Sequence, residues 1–213
     1  MKINKKLLIP VSLGATIYLL SYGLPKLIVN TNDVHYLMLS IDNIIPLFSP
    51  SVIIYLLAFL QWAYTLHILL QQDTKTGYTI ASAIIIGSLV GMIIFIVYPT
   101  AITRPQIEIT NIFDWILNTV YCMDSIVNSC PSFHCFCSTM AIIILVKSNN
   151  INKNTLIINI IFSVLVFIST LLTKQHYFID IPCGIVLSNV SILIAYKFNF
   201  NKLFELINKK ILG

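Results

Sequence analysis

Long stretches without a charged side chain are the feature that most constrains how this 213-residue chain can fold. Uncharged windows occupy residues 7–24, 51–70, 79–98, 125–146 and 154–173, and a shorter one occupies 181–196. A helix that crosses a bilayer needs about 20 apolar residues. Moreover, only 10% of the residues are charged, whereas soluble domains carry about 25%. The sequence therefore predicts an integral membrane protein and excludes soluble, disordered and nucleic-acid-binding classes.

The same windows predict an all-α bundle of six transmembrane helices in a single membrane domain, residues 1–213. We expect the fourth helix to begin at Pro131, because proline suits the first helical turn, and the sixth to be extended so that it carries Asp180. The predicted helices are residues 7–24, 51–70, 79–98, 131–147, 154–173 and 177–196. An amphipathic stretch at about 111–127 also predicts a short helix in the membrane interface.

The distribution of lysines predicts the orientation of the bundle. Six helices place both termini on one side, and ten of the 13 Lys and Arg residues fall on that side. Lys26, Arg104 and Lys174 fall on the other side, together with six of the eight acidic residues. Because Lys and Arg accumulate in cytoplasmic loops, we expect a multi-pass protein of the cell (plasma) membrane with cytoplasmic termini. The net charge of +5 is then topological and does not indicate nucleic-acid binding.

Three polar clusters fall at the predicted outer membrane boundary. Residues 103–105 (Thr-Arg-Pro) follow the third helix, residues 128–134 (Asn-Ser-Cys-Pro-Ser-Phe-His) open the fourth, and residues 174–180 (Lys-Gln-His-Tyr-Phe-Ile-Asp) join the fifth to the sixth. The single arginine and two of the four histidines of the chain lie in these clusters. Each cluster alone has an ordinary explanation as an interfacial anchor or a structural pair. Together they indicate function, because ionisable groups at membrane depth are costly.

The residue types in these clusters suit phosphoryl transfer. Arg104 can hold phosphate oxygens through its guanidinium fork, and Ser132 lies where the start of a helix favours an anion. His134 can approach the same anion as a general acid. His176 and Asp180 are four residues apart and would face the same way on a helix. The carboxylate can then orient His176 and leave one ring nitrogen free to attack phosphorus.

The cysteines provide an alternative reading of the second cluster. On a helix, Cys130, His134 and Cys137 would share a face and could ligate zinc, but a fourth ligand at usable spacing is not evident. An odd number of cysteines does not imply a disulfide framework. A bridge between Cys122 and Cys130 on the outer side stays open. We therefore predict no metal and no other cofactor.

The order of these motifs resembles the type 2 phosphatidic acid phosphatase superfamily. The resemblance rests on Arg104-Pro105, on Pro131-Ser132-x-His134 and on His176-x-x-x-Asp180, over residues of about 97–184. It implies that His176 is the nucleophile and forms a phosphohistidine, and that Asp180 orients it. It also implies that His134 protonates the leaving alkoxide, that Arg104 and Ser132 bind the phosphate, and that no metal takes part.

Two positions depart from the pattern of that superfamily. A lysine is usual where this chain has Val97, and an arginine where it has Thr170. Lys174, two residues before the histidine, is the nearest replacement, and we expect it to face the phosphate. The segment from Asp42 to Pro46 and the Lys-Gln-His-Tyr string are similar to the branch that includes inositol phosphorylceramide and sphingomyelin synthases.

The sequence thus predicts a metal-independent phosphatase that hydrolyses a lipid phosphate at the outer leaflet of the bilayer. One alternative is a lipid phosphotransferase that passes a phospho-head-group to a lipid hydroxyl. A non-enzymatic transporter or scaffold is the other, and it is disfavoured because transporters place ionisable residues near the bilayer midplane. The head group, the lipid tail, the choice between mono- and diphosphate, and the oligomeric state stay open.

Overall fold

Helices make up most of the computed structural model, which describes residues 2–149 and 151–212. Five helical segments in this part of the chain are long and apolar enough to cross a membrane: Lys5–Ile28, Ser49–Leu69, Thr74–Val97, Lys153–Leu172 and Asp180–Phe198. The segment expected to supply a further crossing forms a shorter apolar helix, Phe133–Lys147. The predicted all-α membrane architecture is confirmed at this level, and the described residues give five long spans instead of six.

The elements follow one another in a simple order along the chain. The helices are α1 (Leu8–Gly23), α2 (Pro25–Ile28), α3 (Val52–Leu69), α4 (Thr74–Val97), α5 (Ile112–Met123), α6 (Phe133–Lys147), α7 (Lys153–Leu172), α8 (Asp180–Phe198) and α9 (Asn201–Leu212). Two short strands, β1 (His35–Tyr36) and β2 (Thr100–Ala101), pair in parallel and join two long loops. These loops connect α2 to α3 and α4 to α6.

Helix α4 lies between α1 and α8, and α6 packs against α3, α7 and α8. Aromatic rings fill the centre, where the ring centroids of Phe95 and Phe133 lie 4.9 Å apart. Gly91 of α4 permits this packing, because a Cβ atom there would lie 2.4 Å from the Phe133 ring. The N-terminus of α6 is therefore held in the middle of the bundle rather than at its edge.

The amphipathic stretch after α4 forms a shorter helix than predicted, because α5 ends at Met123 and not near residue 127. It turns Leu117 and the Asp114 carboxylate inward and leaves Ile112 and Met123 exposed. Hydrogen bonds to its carboxylate hold the pKa of Asp114 below its ordinary value, and the bond from Ser49 has the largest effect. The apolar outer face suits the predicted interfacial position.

Candidate active site

The second and third motifs meet where α8 crosses the start of α6. Ser132 is the N-cap of α6 rather than part of its first turn, and its Oγ accepts a hydrogen bond from the Cys135 N–H at 3.3 Å. The Ser132 N–H donates to the Asp180 carbonyl at 3.1 Å. Gly184 makes this approach possible, because a Cβ atom there would lie 2.4 Å from the Ser132 carbonyl oxygen.

His176 and Asp180 form the predicted pair, although a turn and not a helix brings them together. Helix α8 begins at Asp180, so His176 precedes it. The Nδ1 atom of His176 lies 3.1 Å from Oδ2 of Asp180, whose side chain is fully buried. The Tyr177 N–H donates to the same oxygen at 3.0 Å. Because an ionised carboxylate only accepts hydrogen bonds, it selects the tautomer with hydrogen on Nδ1 and leaves the lone pair on Nε2.

His134 lies within an aromatic cluster on the other side of the site. Its ring stacks on Tyr55 at a centroid distance of 4.0 Å, and the rings of Phe59 and Trp62 lie 5.7 and 5.1 Å away. The centroid of the His176 ring is 6.3 Å from that of His134. The Nε2 atom of His134 is buried without a hydrogen-bond partner among the described residues. At this separation the two imidazole rings are close neighbours.

Arg104 ties the first motif to the third. Its guanidinium donates to the carbonyl oxygens of Tyr121, Asp124 and Ser125 and to Oε1 of Gln175. These carbonyls close the C-terminal end of α5. The guanidinium carbon also lies 4.8 Å from the centroid of the Tyr121 ring, and burial raises the pKa of Tyr121 to about 12. The Nε atom of Arg104 is buried and without a partner among the described residues.

A small polar cavity lies between these groups. Its polar lining comes from α1, α3, the loop before α6 and all three motifs: Tyr22, Tyr55, Arg104, Asp124, Ser125, Asn128, Ser129, Gln175 and His176. Buried polar atoms without a partner in the described part of the chain concentrate here: Arg104 Nε, Asn128 Oδ1, Ser129 Oγ, His134 Nε2, Gln175 Nε2 and Asp180 Oδ1. Buried polar atoms are almost always hydrogen-bonded, so this concentration indicates a binding site. Several of these atoms are donors that suit the oxygens of an anion.

Lys174 points away from this cavity, which differs from the expectation that it faces the phosphate. Its ammonium group donates to the carbonyl oxygens of Asp42, at 3.0 Å, and Ile45. The reason is local: Lys174 has φ of 51°, in the left-handed region, so the chain turns sharply before His176. The Asp42 carboxylate in turn accepts the Phe178 N–H at 2.8 Å. Lys174 thus fixes the loop between α2 and α3 to the segment that carries His176.

In the described residues, Cys130 and Cys137 do not come together with His134 as zinc ligands would. Cys130 lies beside Asp180 and Cys183, and burial raises the pKa of its thiol. Cys137 lies beside Tyr18. The five cysteines are free, with Cys122 exposed and Cys130 buried. In the described residues, no three His, Cys, Asp or Glu side chains gather as metal ligands would.

Sequence reasoning missed three residues of the site: Tyr22, Lys26 and Asp124. Lys26 and Asp124 form an ion pair across 98 positions of the chain, and Tyr22 donates to the same carboxylate. No local spacing connects these positions. The available signal was that Lys26 and Asp124 both fall on the predicted outer side.

The fold and the site define a helical membrane protein in which a buried His–Asp pair and an arginine meet at one polar cavity. The second histidine, His134, lies close to His176 but does not line that cavity. The model of the PAP2 superfamily matches residues 45–194, about 70% of the chain. The chain therefore belongs to the PAP2 superfamily, whose members are typically phosphoesterases or phosphotransferases. Comparisons with curated proteins and with solved structures give no match.

Proposed function

We propose that this protein is a metal-independent phosphatase that hydrolyses a lipid phosphate, mono- or diphosphate, through a phosphohistidine. One observation carries the proposal: His176 is oriented by Asp180 at a cavity that it shares with Arg104. A nucleophilic histidine needs a fixed tautomer with one free nitrogen, and a phosphoryl group needs an oriented cation. The site supplies both from protein side chains.

In the first proposed step, Nε2 of His176 attacks phosphorus and a P–N bond forms. The P–O bond to the lipid breaks, and a protonated His134 gives its proton to the departing alkoxide, which leaves as an alcohol. Asp180 stabilises the positive charge on the phosphorylated imidazole. Water then attacks phosphorus and loses a proton to His134. The P–N bond breaks, inorganic phosphate forms, and His176 returns to its starting form.

Arg104 and Ser132 are the proposed phosphate-binding residues. The Arg104 side chain is only 8% exposed, so its charge acts in a poorly solvated environment, where it is stronger than in water. Ser132 contributes through its position at the N-terminus of α6, where backbone N–H groups and the helix dipole favour an anion. Lys174, which the sequence predicts to bind the phosphate, is not assigned that role, because its ammonium group donates to loop carbonyls.

An apolar groove supports a lipid as the substrate. It has a volume of about 370 Å³ and lies between α1, α3 and α5. Its lining is mostly apolar, with Leu19, Leu56, Phe59 and Met123, and it includes His134. A lipid in this groove would bring its ester oxygen to His134 while its chain stays among apolar side chains.

We further propose that α6 is a sixth crossing and that the site faces outward in the plasma membrane, with cytoplasmic termini. The 15 residues of α6 span about 22 Å, which is less than the roughly 30 Å of a hydrocarbon core. If Lys147 lies at the inner surface, then Ser132 and His134 lie below the outer surface. A phosphate ester of an outer-leaflet lipid would meet the site at that depth.

Cysteine labelling tests this orientation. In a cysteine-free background, Gln106→Cys and Asn149→Cys each place one thiol at an exposed position on opposite sides. We expect a membrane-impermeant maleimide added to intact cells to label Gln106→Cys, and to label Asn149→Cys only after permeabilisation. Labelling of Asn149→Cys from outside would overturn both the orientation and the outward-facing site.

A phosphotransferase is the second candidate, and the groove favours it. Because His134 lines the groove while His176 lines the polar cavity, a lipid hydroxyl could replace water as the group that loses a proton to His134. The phosphoryl or phospho-head-group would then pass to that hydroxyl. The chemistry at His176 would be the same in both cases.

The experiment that tests the proposal uses purified protein in detergent with EDTA. Lipid mono- and diphosphates are supplied with and without diacylglycerol or ceramide. Free phosphate indicates a phosphatase, a new phospholipid indicates a transferase, and neither product from any substrate would overturn both. A phosphoenzyme formed from a radiolabelled lipid phosphate should be absent in His176→Ala. It should persist in the control His67→Ala, which removes an exposed histidine near the opposite end of α3.

A further inference from the structure

An ion pair borders the cavity on the side that faces the groove. Lys26, from α2, contacts Oδ1 of Asp124, and its Nζ lies 3.6 Å from the centroid of the Tyr22 ring. The Tyr22 hydroxyl donates to both oxygens of the same carboxylate, at 3.0 and 2.9 Å. The Lys26 and Asp124 side chains are 20% and 19% exposed. A carboxylate, a cation and a phenol therefore meet in a largely desolvated setting.

The Asp124 carboxylate lies between two cations. Its Oδ2 is 3.9 Å from Nη2 of Arg104, on the side away from Lys26. Asp124 also lines both the polar cavity, which includes His176, and the apolar groove, which includes His134. A head group at the boundary between the groove and the cavity would therefore lie beside this carboxylate.

The groups around Asp124 are those that a phosphate would bind. A guanidinium, an ammonium and a hydroxyl donor all favour an oxyanion. Arg104 is the only cation among the described residues that line the cavity, and the ammonium group of Lys174 is held elsewhere. A phosphoryl group in transfer spreads its charge over three oxygens, so one cation leaves much of that charge uncompensated. Lys26 is the remaining cation within reach.

We propose that Lys26 is the second phosphate-binding cation of this site and that Asp124 competes with the substrate for it. On binding, the phosphate of the lipid takes Lys26 and the Tyr22 hydroxyl from the Asp124 carboxylate and lies between Lys26 and Arg104. When inorganic phosphate leaves, Asp124 pairs with Lys26 again. The inference rests on the proposed function, and it adds a residue that lies outside the matched range 45–194.

Opposite effects of two substitutions test this exchange. Lys26→Met removes a charged hydrogen-bond donor to phosphate, so KM for dioctanoyl phosphatidate and Ki for inorganic phosphate should rise by about tenfold to a hundredfold. Lys26→Arg should keep part of the binding, because the charge remains. Asp124→Asn removes the competing anion and should lower Ki for inorganic phosphate. Lys153→Met, at an exposed position in the first turn of α7, is the control that removes an equal charge.

A second measurement does not depend on turnover. Inorganic phosphate that binds the folded protein raises its Tm, and sodium chloride keeps the ionic strength constant. The phosphate-dependent rise should be large in wild type, larger in Asp124→Asn and small in Lys26→Met. If Lys26→Met does not fold because it leaves Asp124 unpaired, the double variant Lys26→Met/Asp124→Asn removes both charges and should also show a small rise.

The outcomes separate the two proposals. Wild-type Ki and a wild-type Tm response in Lys26→Met, or in the double variant, would overturn the role of Lys26 while leaving a phosphatase in place. Weaker phosphate binding in both Lys26→Met and Asp124→Asn would also overturn it, since a purely structural pair predicts losses in the same direction. Conversely, a phosphate response that depends on Lys26, in a protein that releases no phosphate from lipids, would support the anion site and overturn the proposed function.

Discussion

Two buried polar clusters in this bundle differ in how completely their polar atoms are hydrogen-bonded. In the middle of the bundle, Gln61 of α3 donates to Ser163 of α7 at 2.7 Å and accepts from Ser138 of α6 at 3.1 Å. Trp62 donates to the same Ser138 hydroxyl at 3.0 Å. Every polar side-chain atom of these four residues has a partner. At the end of the bundle that carries the candidate site, by contrast, six buried polar atoms around His176 have no partner among the described residues.

The difference distinguishes polar side chains that hold helices together from polar side chains that are available to bind a ligand. A polar group inside a membrane is costly unless it is bonded, and the middle cluster meets this requirement by joining three helices to one another. The cluster around His176 leaves donors and acceptors without partners among the described residues, beside a cavity. Loops hold this cluster from outside, as Lys174 does through the carbonyls of Asp42 and Ile45. Substitutions in the two clusters should therefore affect different quantities.

The largest effect is expected at Asp180. Asp180→Asn should lower kcat by on the order of 10⁴, because the amide no longer fixes the tautomer of His176 or stabilises its charge. The Tm should change little, since the amide oxygen can still accept the Tyr177 N–H. Phosphate release and thermal unfolding of the same preparation provide the check. A folded Asp180→Asn with wild-type turnover would remove His176–Asp180 from the mechanism.

His134 should show a smaller loss that depends on the substrate. His134→Ala should reduce kcat for a lipid phosphate by about 10² to 10⁴, the usual contribution of a general acid. The loss should be much smaller for p-nitrophenyl phosphate, because nitrophenolate leaves without a proton. Comparison of the two substrates in one variant removes the influence of stability. Equal losses for both would argue against the general-acid role.

Most helices and the His176–Asp180 contact could be predicted from the sequence, and the positions of Lys174 and Lys26 could not, for physical reasons. The apolar windows locate the helices because the bilayer sets their length, and the spacing of the third motif identifies the contact between His176 and Asp180. Lys174 was expected at the phosphate because it is near His176 in sequence. Lys26 was not, because its contact with Asp124 spans 98 positions. At Thr170, where the superfamily pattern has an arginine, the side-chain hydroxyl donates to the Phe167 carbonyl.

The same substitution at two glutamines, one in each cluster, compares the two clusters directly. Gln61→Leu should destabilise the bundle by about 1–2 kcal/mol, because it leaves the hydroxyls of Ser138 and Ser163 with fewer partners, and should not change kcat/KM. Gln175→Leu should lower kcat/KM, since the Gln175 side chain accepts from Arg104, with little loss of Tm. The measurements are thermal unfolding and initial rates. The reverse pattern would mean that the bonded cluster is the functional one.

Substitution of Lys174 tests whether this side chain fixes the loop between α2 and α3 or binds the phosphate. Lys174→Met removes both carbonyl contacts, so we expect a lower Tm and an unchanged Ki for inorganic phosphate. The expectation from sequence is instead a loss in kcat/KM on the order of a hundredfold, the scale for one oriented electrostatic contact. Lys174→Arg should recover Tm in the first case and part of kcat/KM in the second. Each variant therefore points to one role.

The smallest effect is a difference in acid stability between the two clusters. Burial raises the pKa of Asp124, but the hydrogen bond and charge of Lys26, followed by Tyr22 and Arg104, outweigh it and hold the pKa below its ordinary value. A carboxyl group with a lowered pKa stabilises the folded state above its unfolded pKa, about 3.9 for aspartate, and loses that contribution as the pH falls through the folded pKa. The middle cluster contains no titratable side chain in this range. Tm should therefore fall below about pH 4, and the fall should be shallower in Asp124→Asn and unchanged in Gln61→Leu. An equal fall in Asp124→Asn and wild type would show that the Lys26–Asp124 pair contributes no measurable stability.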